Sequence, residues 1–162
     1  MSGLLAIDPG KRSGWALYDL GVYKDSGVVD GTSLLCVRNI ISHTMPEIVL
    51  VEDQFIGVSP KASMRIIEIR CRWENVAVMC ADSKIDSVNN RHWQAAYTMK
   101  AGDKKAMAKF AKKIAKRDVE PDEADAILIG QWYCAKGLKH GDRCATLLRG
   151  RRIRRVGLRV DG

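Results

Sequence analysis

The chain has 162 residues and a mass of 18.0 kDa, the size of one domain with its own buried core. Its formal net charge of +8 favours a polyanionic partner, with nucleic acid ahead of an anionic membrane surface. No apolar run is long enough to cross a bilayer, and no secretory signal is visible. The five cysteines form no C-x-x-C pair, so we expect reduced thiols in a cytoplasmic protein and no zinc site.

The first half of the chain predicts three antiparallel strands followed by alternating helices and strands. Short connections between the first three strands favour antiparallel pairing. The predicted order is strand Gly3–Asp8, strand Trp15–Tyr18, strand Ser26–Val29, a helix from Thr32 or Ser33 to about His43, strand Glu47–Glu52, a helix from Ser59-Pro60 to about Glu74 with Met64, Ile67 and Cys71 on its apolar face, and strand Val76–Cys80. The first strand and the strand after the first helix are apolar runs that each end in an acid.

The second half predicts mainly helices. Its elements are a polar loop at Asp82–Asn90, a short helix around Arg91–Tyr97, a helix from Gly102-Asp103 to about Arg117, and a helix that begins at Pro121. We therefore predict an α/β domain over residues 1–142, with a mixed five-stranded sheet of three antiparallel and then parallel strands and helices on both faces. Residues 143–162 form a basic, arginine-rich tail that we expect to order only when it meets its partner.

The stretch from Pro121 to Tyr133 predicts a buried helix that begins with acids. Proline suits the first helical position, and the residues after Asp125 are apolar almost all round. Asp122 and Asp125 share one helix face, where their charges repel unless a cation lies between them. Acids are also common in a solvated first turn, so this helix alone leaves both interpretations open. Glu123 points about 100° away from Asp122 and is expected to be solvated.

Four acids are predicted to converge at one edge of the sheet. Asp8 and Glu52 each end a buried strand, while Asp122 and Asp125 lie on a helix that must pack on that sheet. Four carboxylates without an arginine or lysine nearby in sequence require divalent metal, and oxygen-only ligands favour Mg²⁺, with Mn²⁺ as a substitute. Two such ions about 4 Å apart would stabilise the attacking and leaving oxygens of a phosphodiester displacement.

Cationic side chains provide a candidate surface for a phosphate backbone. The helix after Gly102 carries lysines opposite its apolar stripe, with no acid between Lys104 and Arg117. This density of positive charge exceeds what solubility needs. Arginine suits phosphate geometry, so we expect the tail to contact DNA as well. The basic residues predicted to bind DNA are Lys100, Lys104, Lys105, Lys109, Lys112, Arg149, Arg151, Arg152, Arg154 and Arg155.

Four segments carry a resemblance to a known family: Ile7-Asp8-Pro9-Gly10, Val51-Glu52-Asp53-Gln54-Phe55, Gly102-Asp103-Lys104-Lys105 and Asp122-Glu123-Ala124-Asp125-Ala126. Together, over about residues 3–133, they resemble the RuvC family of Holliday-junction resolvases, which has a ribonuclease H-like fold. Each segment is weak alone, but the combination is specific. The resemblance implies a homodimer that binds a four-way DNA junction and nicks two opposing strands.

The resemblance also implies roles for single residues. The four that match the family's metal-binding carboxylates are Asp8, Glu52, Asp122 and Asp125. Phe55 matches an aromatic residue that stacks on bases at the junction, although such a residue is more often part of a core. Lys104 matches a catalytically important lysine, with Lys105 as the neighbouring candidate. A short segment between the first two acids and the arginine-rich tail both depart from the cellular bacterial enzymes and suggest a phage or viral-type relative.

Three other functions fit parts of the pattern. A related ribonuclease H-like nuclease could act on flaps, replication forks or structured RNA, and the sequence separates this poorly from junction cleavage. A non-catalytic branched-DNA-binding module is disfavoured by intact acids at all four positions. An actin-like ATPase fragment would also open with a strand ending in Asp before Gly, but a second glycine-rich phosphate loop is missing.

Overall fold

A five-stranded sheet lies between two layers of helices in the computed structural model, which describes residues 3–53, 59–97 and 103–139. The elements are β1 (Gly3–Asp8), β2 (Arg12–Asp19), β3 (Val22–Asp30), α1 (Leu34–Thr44), β4 (Ile48–Asp53), α2 (Pro60–Ala81), β5 (Lys84–Asn89), α3 (Asn90–Ala96), α4 (Lys104–Ala115) and α5 (Pro121–Lys139). The strand order is β3-β2-β1-β4-β5. The pairs β1–β2 and β2–β3 are antiparallel, whereas β1–β4 and β4–β5 are parallel, which confirms the predicted mixed sheet.

The two faces of β1 and β4 belong to two separate cores. Leu4 and Ala6 pack beneath α5, whereas Leu5 and Ile7 pack beneath α1 and α2 on the opposite face. Because side chains alternate along a strand, Asp8 follows Leu4 and Ala6 towards α5. Glu52 follows Leu50 to the same face of β4. The alternation therefore places two strand-end acids on the side of the sheet where α5 lies.

Helix α5 is the central helix of the fold, as its apolar sequence predicts. It packs on β1, β2 and β3 with one side and against α3 and α4 with the other. Residues 126–129 are fully buried. The Tyr18 hydroxyl of β2 donates to the carbonyl oxygen of Ile127 at 2.6 Å. Gly130 lies so close to the Tyr18 ring that a β-carbon there would overlap it. Within the described ranges, no helix is long and apolar enough to cross a membrane.

The predicted strand at Val76–Cys80 and the predicted loop at Asp82–Asn90 are both wrong. Helix α2 continues to Ala81, and the fifth strand is Lys84–Asn89. Val76 and Ala77 continue the buried stripe of α2, whereas Val78 and Met79 are 50% and 84% exposed. The short apolar run is thus a stretch of helix with one buried side. β5 is polar because it is an edge strand, paired only with β4, and it buries little beyond one valine.

The core side of α2 also differs from the expected one. Met64 and Cys71 are exposed and Ile67 is only partly buried, although they form an apolar stripe. The buried stripe instead contains Ile69 and Trp73, and the indole nitrogen of Trp73 donates to Ser13 Oγ at 3.2 Å. Helix α2 therefore has two apolar stripes, and the sequence pattern does not reveal which one faces the sheet.

Gly14 allows the start of α5 to approach the sheet more closely than any other residue would. A β-carbon at Gly14 would overlap the carbonyl oxygen of Asp122. Gly14 is also the β2 partner of Asp8. The first turn of α5 therefore rests on the backbone directly beside the acid that ends β1.

We expect Gly14→Ala to lower the free energy of unfolding by about 2–3 kcal/mol, because a backbone carbonyl cannot move aside for the added methyl group. Gly27→Ala in β3 is the matched control. Its β-carbon would meet the Trp15 side chain at 3.1 Å or more, and a side chain can shift. Urea denaturation of both variants measures the difference. Equal losses of stability would contradict the proposed close approach.

Candidate active site

The four predicted acids lie around one point at the carboxyl-terminal edge of the sheet. Asp8 is the last residue of β1, and Glu52 is next to last in the neighbouring parallel strand β4. Asp122 and Asp125 come from the start of α5, beside Gly14. The charges of the other three acids all raise the pKa of Asp8, so each of them lies close enough to act on that carboxyl group.

Three of these acids hold protons more tightly than free carboxyl groups do. Burial raises the pKa of Asp8 well above its usual range, and the negative charge of Glu52 adds to the effect. Burial likewise raises the pKa of Glu52, which shares a hydrogen bond with Asp8. The pKa of Asp125 rises to about 6 through burial, although the nearby charge of Lys104 lowers it. The site therefore has an excess of negative charge, and a cation binding there would displace protons.

Trp93 of α3 orients one of the acids. Its ring is 1% exposed, and its indole nitrogen donates to Glu52 Oε1 at 2.7 Å. This bond lowers the pKa of Glu52, against the larger effect of burial. From the sequence alone, Trp93 was not assigned to this site. The available signal was chemical, since a buried tryptophan usually needs an acceptor for its N–H group.

Arg12 is a second residue that the sequence analysis missed. Its Nε donates to Asp122 Oδ2 at 3.2 Å, and its Nη2 donates to Glu120 Oε2. The expectation that no cation lies near the acids is therefore wrong. The side chain is 60% exposed, so these pairs contribute little to stability. The sequence contains one indication of this contact, because Arg12 follows Asp8 by four residues across a Pro-Gly turn.

Glu123 is buried, which contradicts the expectation that it is solvated. It is only 3% exposed, forms an ion pair with Arg117, and accepts a hydrogen bond from Ser26 Oγ at 2.7 Å. The Glu120 backbone N–H donates to Glu123 Oε2 at 3.1 Å. Burial alone would raise the pKa of Glu123, but these hydrogen bonds outweigh it and lower the pKa. The network joins the first turn of α5 to β3 and to the α4–α5 connection.

The donor set of the site suits a hard divalent cation, because it consists of carboxylate oxygens. Within the part of the chain that the structure describes, no three acidic, histidine or cysteine side chains are arranged to enclose a metal ion. Asp8 and Glu52 are hydrogen-bonded to each other, and Asp122 is paired with Arg12. A cation bound by all four acids would therefore compete with the Asp8–Glu52 hydrogen bond and with the Arg12–Asp122 pair.

The predicted DNA-binding residues are only partly described. Lys104 lies close enough to Asp125 for its charge to act on that carboxyl group. Lys105 and Lys109 are exposed on α4, and Lys112 forms an ion pair with Asp118. The remaining predicted contacts lie outside the described residues: Phe55, Lys100, Arg149, Arg151, Arg152, Arg154 and Arg155. The roles of all these residues stay predictions.

Comparison with known proteins identifies the fold. Thermus thermophilus RuvC, in complex with a Holliday junction substrate, superposes with a TM-score of 0.69 at 18% sequence identity, over 87% of this chain and 97% of that chain. The chain has the RuvC fold. This confirms the ribonuclease H-like arrangement that the sequence predicts. No family model and no curated protein sequence matches the chain.

Two further structures share the RuvC fold with this chain. The yeast mitochondrial Holliday junction resolvase has a TM-score of 0.57 at 15% identity, over 90% of this chain and 84% of that chain. The fowlpox virus Holliday junction resolvase has a TM-score of 0.54 at 17% identity, over 83% of this chain and 99% of that chain. Similarities at such low identity establish the fold and leave the chemistry to be argued from the residues.

We expect Mg²⁺ to raise the melting temperature more near pH 7.5 than near pH 5.5. Asp8 and Asp125 have raised pKa values, so at the lower pH a cation must displace their protons. Because the pKa of Asp125 in the folded state is above its unfolded value, the stability of the metal-free protein falls as the pH rises from about 4 to about 6. Thermal melts with Mg²⁺ or with EDTA, recorded between about pH 4 and pH 7.5, measure both effects.

The matched variants are Asp125→Asn and Asp53→Asn. Removing the Asp125 charge should raise the metal-free melting temperature near pH 7.5 by about 2–4 °C, roughly 1 kcal/mol, and abolish the response to Mg²⁺. Asp53 lies on the opposite face of β4, paired with Arg70, so its variant should keep the response. A Mg²⁺ shift that is the same at both pH values would contradict the assignment of the site.

Proposed function

We propose that the protein is a divalent-metal-dependent endodeoxyribonuclease that resolves four-way DNA junctions. The observation that carries this proposal is the cluster of four carboxylates at the strand ends of a RuvC fold, with three of their pKa values raised. The T. thermophilus and fowlpox virus structures with this fold contain Holliday junction DNA, which supports a branched DNA substrate. Phosphodiester cleavage requires positive charge at the reacting phosphate, and the excess of carboxylates at this site would bind the metal ions that supply it.

The four acids would hold the metal, with Mg²⁺ as the expected ion and two ions per site. When bound, Mg²⁺ would stabilise the charge that develops on the phosphate during phosphodiester hydrolysis. Trp93 fixes the Glu52 carboxylate, and the ion pair between Arg117 and Glu123 fixes the first turn of α5. Lys104 would contact the phosphate beside the acids, which its proximity to Asp125 supports.

The basic side chains would bind the DNA backbone without reading its sequence. The exposed lysines of α4 follow Lys104 along the helix, so their charge extends away from the acids. Phosphate contacts of this kind give strongly salt-dependent binding. Selectivity for a junction would then come from its branched shape. Phe55 is the candidate for stacking on a base, and the tail arginines would add further contacts to the DNA backbone.

Paired nicking requires two active sites, and we propose that a second copy of the chain supplies the other one. The outer α2 face is a groove along α2 and the start of α1. Its apolar side chains include those of Leu34, Met64, Ile67, Cys71 and Met79, and Glu68, Arg72 and Asn75 also line it. Leu34, Met64 and Met79 are 60%, 58% and 84% exposed. A contiguous exposed apolar surface of this kind is typical of an interface between proteins. We propose that this face packs against its equivalent on the partner protomer.

Cleavage assays test the catalytic proposal. With Mg²⁺, the wild-type protein should place paired, symmetric nicks in a mobile four-way junction and leave linear duplex intact, and EDTA should stop the reaction. Asp122→Asn should reduce nicking by roughly a thousandfold, because a metal ligand contributes several kcal/mol to the barrier. Asp82→Asn, at the left-handed cap that ends α2, is the control and should stay active.

Other results of the same assay would replace the proposal. Tight junction binding without nicking in Mg²⁺ or Mn²⁺ would indicate a non-catalytic binding module. Equal cleavage of flaps, forks or structured RNA would keep the active site and assign a broader nuclease function.

The dimer proposal makes a separate prediction for Met79→Glu. A charge within this interface should weaken dimerisation by about thirtyfold, since a hot-spot residue contributes about 2 kcal/mol. Met79 is so exposed that the fold should tolerate the change. Val22→Glu, 59% exposed on β3, is the control. Analytical ultracentrifugation measures both, and a dimer that persists in Met79→Glu would rule out this face.

A further inference from the structure

We propose that a second basic surface, on the α2 side of the sheet edge, binds the phosphodiester backbone of a DNA arm next to the active site. We call it the α2 basic track, and it consists of Lys11, Lys61, Arg65 and Arg72. This inference rests on the proposed junction nuclease function and adds a binding site to it. The α4 lysines lie on the other side of the sheet, so the acids would stand between two basic surfaces.

The track begins in a cavity at the N-terminal half of α2. Lys61, Arg65 and Arg72 line this cavity together with Thr32, Met64, Glu68 and Ile69. Met64, Glu68 and Arg72 also line the outer α2 face, so the track runs along one edge of the proposed dimer interface, with Lys61 and Arg65 outside it. The three basic residues are four and seven positions apart, so they share one face of the helix. Lys61 and Arg65 are exposed. Their charges therefore point to one elongated surface, a shape that suits a polyanion better than a small anion does.

Hydrogen bonds connect this cavity to the active site. Arg72 Nη1 donates to the carbonyl oxygen of Gly31 at 2.8 Å, and the Gly31 N–H donates to the carbonyl oxygen of Lys11 at 2.9 Å. The next residue, Arg12, is paired with Asp122 of the active site. A strand of DNA that follows the track would therefore arrive at the carboxylates through the β1–β2 turn.

The charges of the track are only partly balanced by acids. Asp30 accepts hydrogen bonds from Thr32, which lower its pKa most, and the charges of Lys11 and Arg72 lower it further. Glu68 is the one acid among the described residues that line the cavity. Four cations thus face two carboxylates. Among the described residues, no carboxylate lies within ion-pair distance of Lys61 or Arg65.

Arg70 shows the contrasting arrangement on the same helix. Its guanidinium is paired with Asp53 and Glu74, so its charge is used within the fold. Lys61 and Arg65 have no such structural use, and they lie beside the cavity rather than among acids. This difference favours a role in binding over a role in stability for the two residues.

The test compares the double variant Lys61→Gln/Arg65→Gln with a control of equal charge change, Arg38→Gln/Lys84→Gln. The control residues are exposed on α1 and at the start of β5, outside the track. Affinity for a four-way junction is measured in EDTA over a range of salt concentrations. Loss of two phosphate contacts per protomer should weaken binding by about 10- to 100-fold or more near 0.1 M salt. It should also make the slope of log K against log salt shallower by about 1.8 for each protomer whose track contacts the junction.

The outcomes separate this inference from the proposed function. Affinity and salt slope equal to those of the control, in a wild-type protein that nicks junctions with Mg²⁺, would overturn the track and leave the nuclease. A wild-type protein that neither binds nor nicks junctions would overturn both. Ethylation interference locates the phosphates that the track contacts. Ethylation of these phosphates should weaken binding by the wild type and by the control, but it should have no effect on binding by the track variant.

Discussion

The structure depends on one close contact, between the backbone of Gly14 in β2 and the start of α5. This contact sets how near Asp122 and Asp125 come to the acid that ends β1. On the other side of the helix, the ion pair between the buried Glu123 and the exposed Arg117 fixes the same turn against β3. Steric fit and this ion pair thus act together, and the acids are assembled by the packing of the backbone rather than by mutual attraction.

The cost of this assembly is electrostatic. Burial and mutual repulsion raise the pKa values of three of the four acids, so the folded protein carries a site that its own charges oppose. The extensive apolar packing of α5 against three strands supplies the stability that offsets it. Such a conflict between local charge and overall packing is typical of a functional site. Arg12 compensates only one of the carboxylates, from an exposed position.

Much of the fold was predictable from the sequence because buried parallel strands and a wholly apolar helix leave strong patterns. Asp8 and Glu52 could be placed together, since they end apolar runs and side chains alternate along a strand. β5 could not be predicted, because an edge strand needs little apolar surface and resembles a loop. Glu123 was misjudged because a helical wheel gives the angle between side chains and does not show that β3 and Arg117 close over the helix end. Partners such as Trp93 and Arg12 come from distant positions in the fold, and no local pattern indicates them.

The position of α5 at the centre of the fold has a consequence for motion. A helix buried between a sheet and two other helices exposes its amide groups only when most of the molecule unfolds, so its hydrogens should exchange with solvent at the slowest rates in the chain. Asp122 and Asp125 belong to that same cooperative unit. The backbone that carries these two acids should therefore separate from the sheet only when most of the molecule unfolds.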